Sequence, residues 1–387
     1  ILFLVHLYKL NHNNLSSRLL LLILSDFENY KYAFVKPSLK LNCFDACFSN
    51  TKSTIIDDVK NHIVFINYDY KNEIEPFENK SNNPLKFPDI LLAKVEKKTT
   101  ISDIFFERLI NTINLKPTVS KESYLKKVNQ LKDHIRKGDI YEINYCITFE
   151  ATDVKINPFE LFQKLNDISK APFACLSKIE HTYIISSSPE LFISKKGNTL
   201  ITKPIKGTAK RGSTEHEDEL LKNNLQNSLK EKTENVMIVD VCRNDLSKIA
   251  QKGSVDVPKL FDVETFKQVH QMVSTVSCQL KEVITFKDII DRTFPMASMT
   301  GAPKIRAMQL IDEFEMYNRG PYSGAIGCID DNGDFDLSVL IRSIFYDEEK
   351  NYLSFSVGSA ITNLCDAEEE YEECLLKAKA MIQVLTQ

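Results

Sequence analysis

The order of extended runs in the middle of the chain most constrains the fold. IYEINYCITFE, FACLSKI, TYIISSS and ELFISKK follow one another between residues 140 and 196, each rich in β-branched and aromatic residues. Before them, KESYLKKVNQLKDHIRKGD sets Tyr124, Val128, Leu131 and Ile135 at helical spacing, and Gly138 closes the pattern. After them a polar-rich helix is expected from about Glu215 to Asp240. Strand runs broken by helices, with no regular βαβ alternation, predict an α+β fold and not a doubly wound sheet.

Glycine is scarce, with eleven in 387 residues, so each one answers a backbone need. Seven of the eleven fall in KGTAKRG, TGAPK, RGPYSGAIG and SVGSAIT, and these stretches are where chemistry is expected. Residues 26–118 contain no glycine. They mix β-rich runs (AFVKPSL, HIVFINYDY) with NEIEPFENKSNNPLKFPDI, which reads as loop, so this part is expected to be scaffold. The first 25 residues carry two apolar runs, LFLVHLY and LLLLILS, each too short to cross a bilayer. They read as strands or a leader, and a start at Ile suits a processed or truncated chain.

The net charge of −4, with lysines and arginines scattered, argues against nucleic acid as a partner. Nine cysteines without CxxC pairs or zinc-finger spacing indicate neither a disulfide framework nor structural zinc, and a reducing cytoplasm is the simplest home.

In ITKPIKGTAKRG, Pro204 confines its strand to an edge, an end or a bulge. Lys206 then stands at a rigid strand exit before a turn at Gly207 and Thr208. A lysine that is desolvated, or set beside another cation, loses proton affinity and becomes a nucleophile near neutral pH. The alternative is a lysine that merely ends an edge strand.

In NSLKEKTENVMIVDVCRNDL, Glu231 and Glu234 lie one turn apart on a helix face, as do Glu370, Glu373 and Lys377 in DAEEEYEECLLKAKAM. Each set alone also suits the helix macrodipole. If the two faces meet, the carboxylates stay ionised only around a cation, and oxygen-only donors suit magnesium. FPMASMTGAPKIRAMQLIDEFE reads as a turn and a helix start, with Gly301 before it and Pro303 near its first position. Arg342, in the apolar run LSVLIRSIFY, is either a buried ion pair or a carboxylate clamp. Gly358 is expected to open the backbone to a ligand. Together these features suggest a small, multiply anionic substrate.

PIKGTAKRG, ENVMIVDVCRNDL, TGAPKIRAMQ, RGPYSGAIG, VLIRS, and VGSAIT with EYEECLLKAKAM occur in the order found in the chorismate-utilising enzymes, which the chain resembles over roughly residues 120–387. The resemblance implies a large two-sheet antiparallel β-sandwich flanked by helices. Residues 1–118 would complete the sheets, and 119–387 would form the catalytic part. Position 206 discriminates within the family. Members that aminate chorismate at C4 typically carry lysine there, whereas the anthranilate, isochorismate and salicylate branches typically carry alanine.

The resemblance therefore implies a transferase making 4-amino-4-deoxychorismate for p-aminobenzoate and folate. Lys206 would be the nucleophile at ring carbon C2, and Glu190, in SSSPELF, the general acid for the C4 hydroxyl. Glu234 and Glu373 would hold Mg2+, with Glu231 and Glu370 in support. Tyr322 and Arg342 would clamp the enolpyruvyl carboxylate. Gly358, Ser359 and Ala360 would supply backbone amides, Lys377 a basic partner at the metal edge, and Thr208, Thr300 and Gly301 further substrate contacts.

Three positions depart from the family pattern. Gln271 stands where a histidine is usual, with His270 displaced by one residue. Glu142 replaces the usual glutamine of GDxxQxN, which argues against water as nucleophile. The usual run of small glycines is reduced to Gly358, Ser359 and Ala360. No cysteine sits in a glycine-flanked nucleophile elbow, so ammonia is expected from a glutamine amidotransferase subunit or from free ammonium. No lyase segment follows residue 387. Two alternatives stay open: anthranilate synthase component I chemistry, and a degenerate paralogue that binds chorismate without turnover.

Overall fold

The computed structural model describes residues 29–37, 43–53, 59–77, 83–102, 113–266 and 269–386. The two apolar runs of the first 25 residues lie outside them.

Two antiparallel sheets, each of ten strands among the described residues, form the body of the molecule. The first runs in space through Gly301–Ala302, Glu142–Ala151, Tyr352–Ile361, Ser343–Asp347, Thr182–Ser188, Phe173–Ile179, Tyr32–Pro37, Cys43–Ser49 and Lys97–Ser102, with Lys116–Pro117 also paired to Glu142–Ala151. The second runs through Ile205–Lys210, Val269–Gln279, Thr199–Thr202, Leu191–Lys196, Phe335–Val339, Ala325–Ile329, His62–Ile66, Ile90–Lys94 and Thr51–Lys52, with Asp256–Thr265 also paired to Val269–Gln279. Both sheets take strands from residues 32–102 as well as from the later chain.

Side-chain alternation along the strands explains the layering. Phe34, Cys146, Ile184 and Phe345 of the first sheet join Ile63, Phe192, Val276 and Leu337 of the second in one core. Their neighbours Val35, Ile147, Ile185 and Ile344 point the other way, into a second core with the helices Lys121–Arg136, Pro158–Ser169, Lys304–Phe314 and Ala367–Thr386. Because both faces of the first sheet are covered, every residue of Thr182–Ser188 is buried. The architecture is the α+β class that the strand order implied and the helix-flanked two-sheet sandwich that the family resemblance implied.

Three local expectations change. The helix expected from Glu215 to Asp240 is two helices, Glu215–Asn227 and Leu229–Ser247. Ser228 stands between them in extended backbone, and its hydroxyl accepts from the Glu231 amide as the N-cap of the second. A further helix, Pro158–Ser169, starts where Asn157 caps the amides of Phe159 and Glu160 and Pro158 takes the first turn. The stretch read as loop after Tyr70 contains a short helix, Lys71–Ile74, and leads into the strand Ile90–Lys94.

Candidate active site

Lys206 lies within a strand, not at its exit. Thr199–Thr202 and Ile205–Lys210 both pair with Val269–Gln279, and Pro204 interrupts them. Register then slips: Ile205 faces Val273, and Thr208 faces Gln271. The extra residue is accommodated at Lys206–Gly207, a bulge in which Gly207 takes φ 88°. A Cβ at Gly207 would stand 2.8 Å from a carboxylate oxygen of Glu231, so glycine here lets the helix Leu229–Ser247 approach.

The bulge aims Lys206 inward, where it is 8% exposed. Its ammonium is paired with Glu142, itself 1% exposed on the strand Glu142–Ala151 of the other sheet. Burial lowers the lysine's pKa, but Glu142, Glu234 and Glu190 together outweigh it, and the pKa is raised. The sequence pointed to reduced proton affinity. The surrounding carboxylates, which only the fold brings together, reverse the sign.

Glu190 follows the strand Thr182–Ser188, and its amide donates to Ser188 Oγ at 3.3 Å. Burial pushes its carboxyl up to about 7, against the field of Lys206. A carboxyl poised there donates a proton readily at neutral pH.

The two acidic helix faces meet. Lys230 Nζ, on Leu229–Ser247, stands 3.6 Å from Glu370 Oε1 on Ala367–Thr386. Burial depresses the Lys230 pKa, and the fields of Glu370, Glu234, Glu231 and Glu373 more than reverse this, so all four carboxylates surround one region. Burial also pushes Glu234 up to about 7, helped by Glu142 and Glu231. It raises Glu231 and Glu370 as well, each with Glu373 adding to the effect. Glu373 is lowered, because Lys377 at 2.6 Å overcomes burial.

Among the described residues, no three His, Cys, Asp or Glu side chains are grouped tightly enough to cage a metal by themselves. The donor chemistry still fits magnesium, which takes one or two carboxylates and completes its shell with water and an anionic substrate.

The expected substrate contacts fall into two groups. Arg342 is not inside a strand. It sits between Phe335–Val339 and Ser343–Asp347 with φ 53°, where the chain crosses from one sheet to the other. It has no ion-pair partner among the described residues, and burial lowers its pKa. The residue is half-buried, and a guanidinium without a paired carboxylate keeps donors for an anion. Tyr322 is 3% exposed, and Cys146 Sγ donates to its hydroxyl at 3.7 Å. Lys377 Nζ donates to Gly358 O at 2.8 Å.

A narrow cavity of about 60 Å3 opens between Ser187, Pro189, Gln271, Arg342 and Lys377. Gln271 Oε1 is buried there without a hydrogen-bond partner.

The other expected contacts also make bonds within the protein. The Thr300 hydroxyl donates to Met296 O and Ala297 O, both at 3.2 Å, and Gly301 pairs with Ile143 at the sheet edge. Ser359 Oγ bonds the Tyr124 hydroxyl at 2.9 Å, while Ala360 faces Asn144 and Thr208 is exposed on its strand. A Cβ at Gly358 would stand 2.5 Å from Cys146 Sγ and 2.6 Å from Asn144 Oδ1. The adjacent strand therefore leaves no room for a side chain there. His270 is buried away from the cavity, bonded to Asp218 at 3.0 Å and Thr265 at 2.9 Å.

A larger cavity, about 740 Å3, lies around Met237, Asn244, Phe294 and Lys304, and none of the site glutamates lines it. Size therefore does not locate the chemistry. The contact missed at the sequence level is Glu142 on Lys206. A charged residue in the apolar run IYEINYC was its signal, since a buried charge requires a partner.

A helix-flanked double sheet thus gathers a buried lysine, a carboxyl raised to about 7, an acidic cluster and an arginine with no ion pair among the described residues. The chain belongs to the chorismate binding enzyme family, whose model matches residues 105–383. It is 36% identical over 377 residues to the probable aminodeoxychorismate synthase, chloroplastic, of Oryza sativa subsp. japonica, covering 90% of this chain and 41% of that protein. It is 37% identical over 274 residues to aminodeoxychorismate synthase component 1 of Escherichia coli (strain K12), covering 71% of this chain and 60% of that protein. The chain thus spans well under two thirds of each of these relatives. The fold is similar to anthranilate synthase component I from Streptococcus pneumoniae TIGR4, with TM-score 0.75 and 27% identity over 86% of this chain and 82% of that one.

Proposed function

We propose that the chain aminates chorismate to 4-amino-4-deoxychorismate, the precursor of p-aminobenzoate. The observation that carries this reading is Lys206, an amine buried beside Glu190 and the acidic cluster. The neutral amine attacks ring carbon C2, the ring double bonds shift, and the C4–O bond breaks. Glu190 gives its proton to the departing hydroxyl, which leaves as water. Ammonia then bonds to C4 as the C2–N bond breaks, which frees Lys206 and completes the exchange of hydroxyl for amine. Arg342, with Tyr322 beside it, holds the enolpyruvyl carboxylate. Burial keeps water from competing with ammonia.

Glu234 and Glu373, supported by Glu231 and Glu370, would hold Mg2+, whose contribution when bound is to neutralise the ring carboxylate. Ammonia comes from a glutamine amidotransferase partner or from free ammonium. Eight cysteines among the described residues are free thiols, which suits a reducing compartment.

Anthranilate formation is the second reading, favoured by the likeness to the Streptococcus pneumoniae enzyme. Incubating the protein with chorismate, Mg2+ and ammonium separates the two. Aminodeoxychorismate in the chromatogram supports the proposal, whereas fluorescent anthranilate, or unchanged chorismate, overturns it.

A further inference from the structure

We propose that Glu142 is the proton acceptor and donor for Lys206, so that lysine and glutamate shuttle one proton between them through each turnover. This rests on the amination reading above.

The geometry supplies the pair. One oxygen of Glu142 receives the Lys206 ammonium, and the other is buried with no hydrogen-bond partner. A carboxylate in that position bears the desolvation cost of a charge with half of its acceptor capacity unused. Moving the proton from nitrogen to oxygen turns a buried ion pair into a buried neutral pair, which a dry site favours more than water does. The two residues come from different sheets, Glu142 from a strand of the first and Lys206 from the bulge of the second, so the sandwich itself enforces their contact. The groups whose fields reach Lys206 are Glu142, Glu190, Glu231, Glu234 and Glu373. Of these, Glu142 makes the described ion pair with its nitrogen.

The step balances. Ammonium and carboxylate become amine and carboxylic acid, and the freed lone pair attacks C2. When ammonia displaces the lysine from C2, the released amine takes its proton back from Glu142. Glu190, deprotonated by the departing hydroxyl, receives a proton from the new ammonium at C4. No proton on Lys206 has to reach bulk water.

The test is Glu142→Gln, with kcat measured at saturating chorismate and ammonium from pH 6 to 8 and compared with the unchanged protein at each pH. Without the acceptor beside it, Lys206 must lose its proton to solvent, so the fraction of neutral amine follows the pH. The ratio of variant to unchanged kcat is then expected to lie at least a hundredfold below one at pH 6 and to climb about tenfold per pH unit. A ratio independent of pH, whatever its size, overturns the proposal, since a packing defect lowers the rate uniformly.

Glu142→Asp covers the case in which the glutamine variant does not fold. It keeps an acceptor, so its ratio should be reduced but flat, and a ratio that climbs with pH contradicts the shuttle. Failure of the amination reading looks different, because the unchanged protein would then make no aminodeoxychorismate at all.

Discussion

At the scale of single residues, the site is a set of charges whose usual ionisation has been shifted by burial and neighbours. Glu190 is the clearest case, a carboxyl raised to about 7 chiefly by desolvation. The folded protein holds this proton more tightly than the unfolded chain does. Stability attached to it is therefore complete below the ordinary glutamate range and is lost as pH rises through about 7. Replacing Glu190 by Gln should stabilise the protein at pH 8, by on the order of 1–3 kcal/mol in denaturant melts. The same change should lower amination at least a hundredfold, the usual scale for removing a general acid. A variant that is no more stable at pH 8 and keeps its rate would remove Glu190 from the role.

Much of this site was legible in the residues themselves. Lys206 and the two glutamate pairs stood out by motif and spacing, although each also had a scaffold reading, and Glu190 entered through the family resemblance. The sign of the Lys206 shift was not legible. It depends on Glu142, which is 64 positions away and meets the lysine only when two sheets close on each other. Arg342 was misplaced for a related reason. Its apolar neighbours suggest one continuous strand, but they belong to two strands in different sheets, and the arginine turns the corner between them.

At the scale of elements, the site depends on where strands and helices are interrupted. Pro204 and the Lys206–Gly207 bulge redirect a strand, and Ser228 restarts a helix so that Glu231 and Glu234 fall on the face turned to the bulge. The periodicity of residues 215–247 is helical throughout, so the break had only a local serine to announce it. Gly358 shows how a motif glycine also answers to packing. Its place beside the carboxylates suggests a ligand contact, yet the space is filled by Cys146 and Asn144 of the neighbouring strand. Gly358→Ala should cost about 1–3 kcal/mol through overpacking. It should lower the thermal midpoint before it changes the KM for chorismate. A raised KM with an unchanged midpoint would restore the ligand-contact reading.

At the scale of the whole molecule, the fold is a device for bringing distant parts of one chain to a point. Glu142 comes from one sheet and Lys206 from the other, Glu234 from a central helix, and Glu373 from the last helix. The α+β class followed from the strand order, and the two sheets from the family resemblance. Their closure, with strands from residues 32–102 inserted into both, depends on long-range pairing that no local pattern encodes. What this assembly is proposed to accomplish is a covalent bond between Lys206 and the substrate ring.

The most direct test is mass spectrometry of the protein incubated with chorismate and Mg2+ in the absence of ammonia, followed by digestion. The account predicts an added mass of chorismate less one water on the peptide containing Lys206, which disappears when ammonium is supplied. Steady formation of aminodeoxychorismate with no such adduct, or by a Lys206→Ala protein at an unchanged rate, would contradict it.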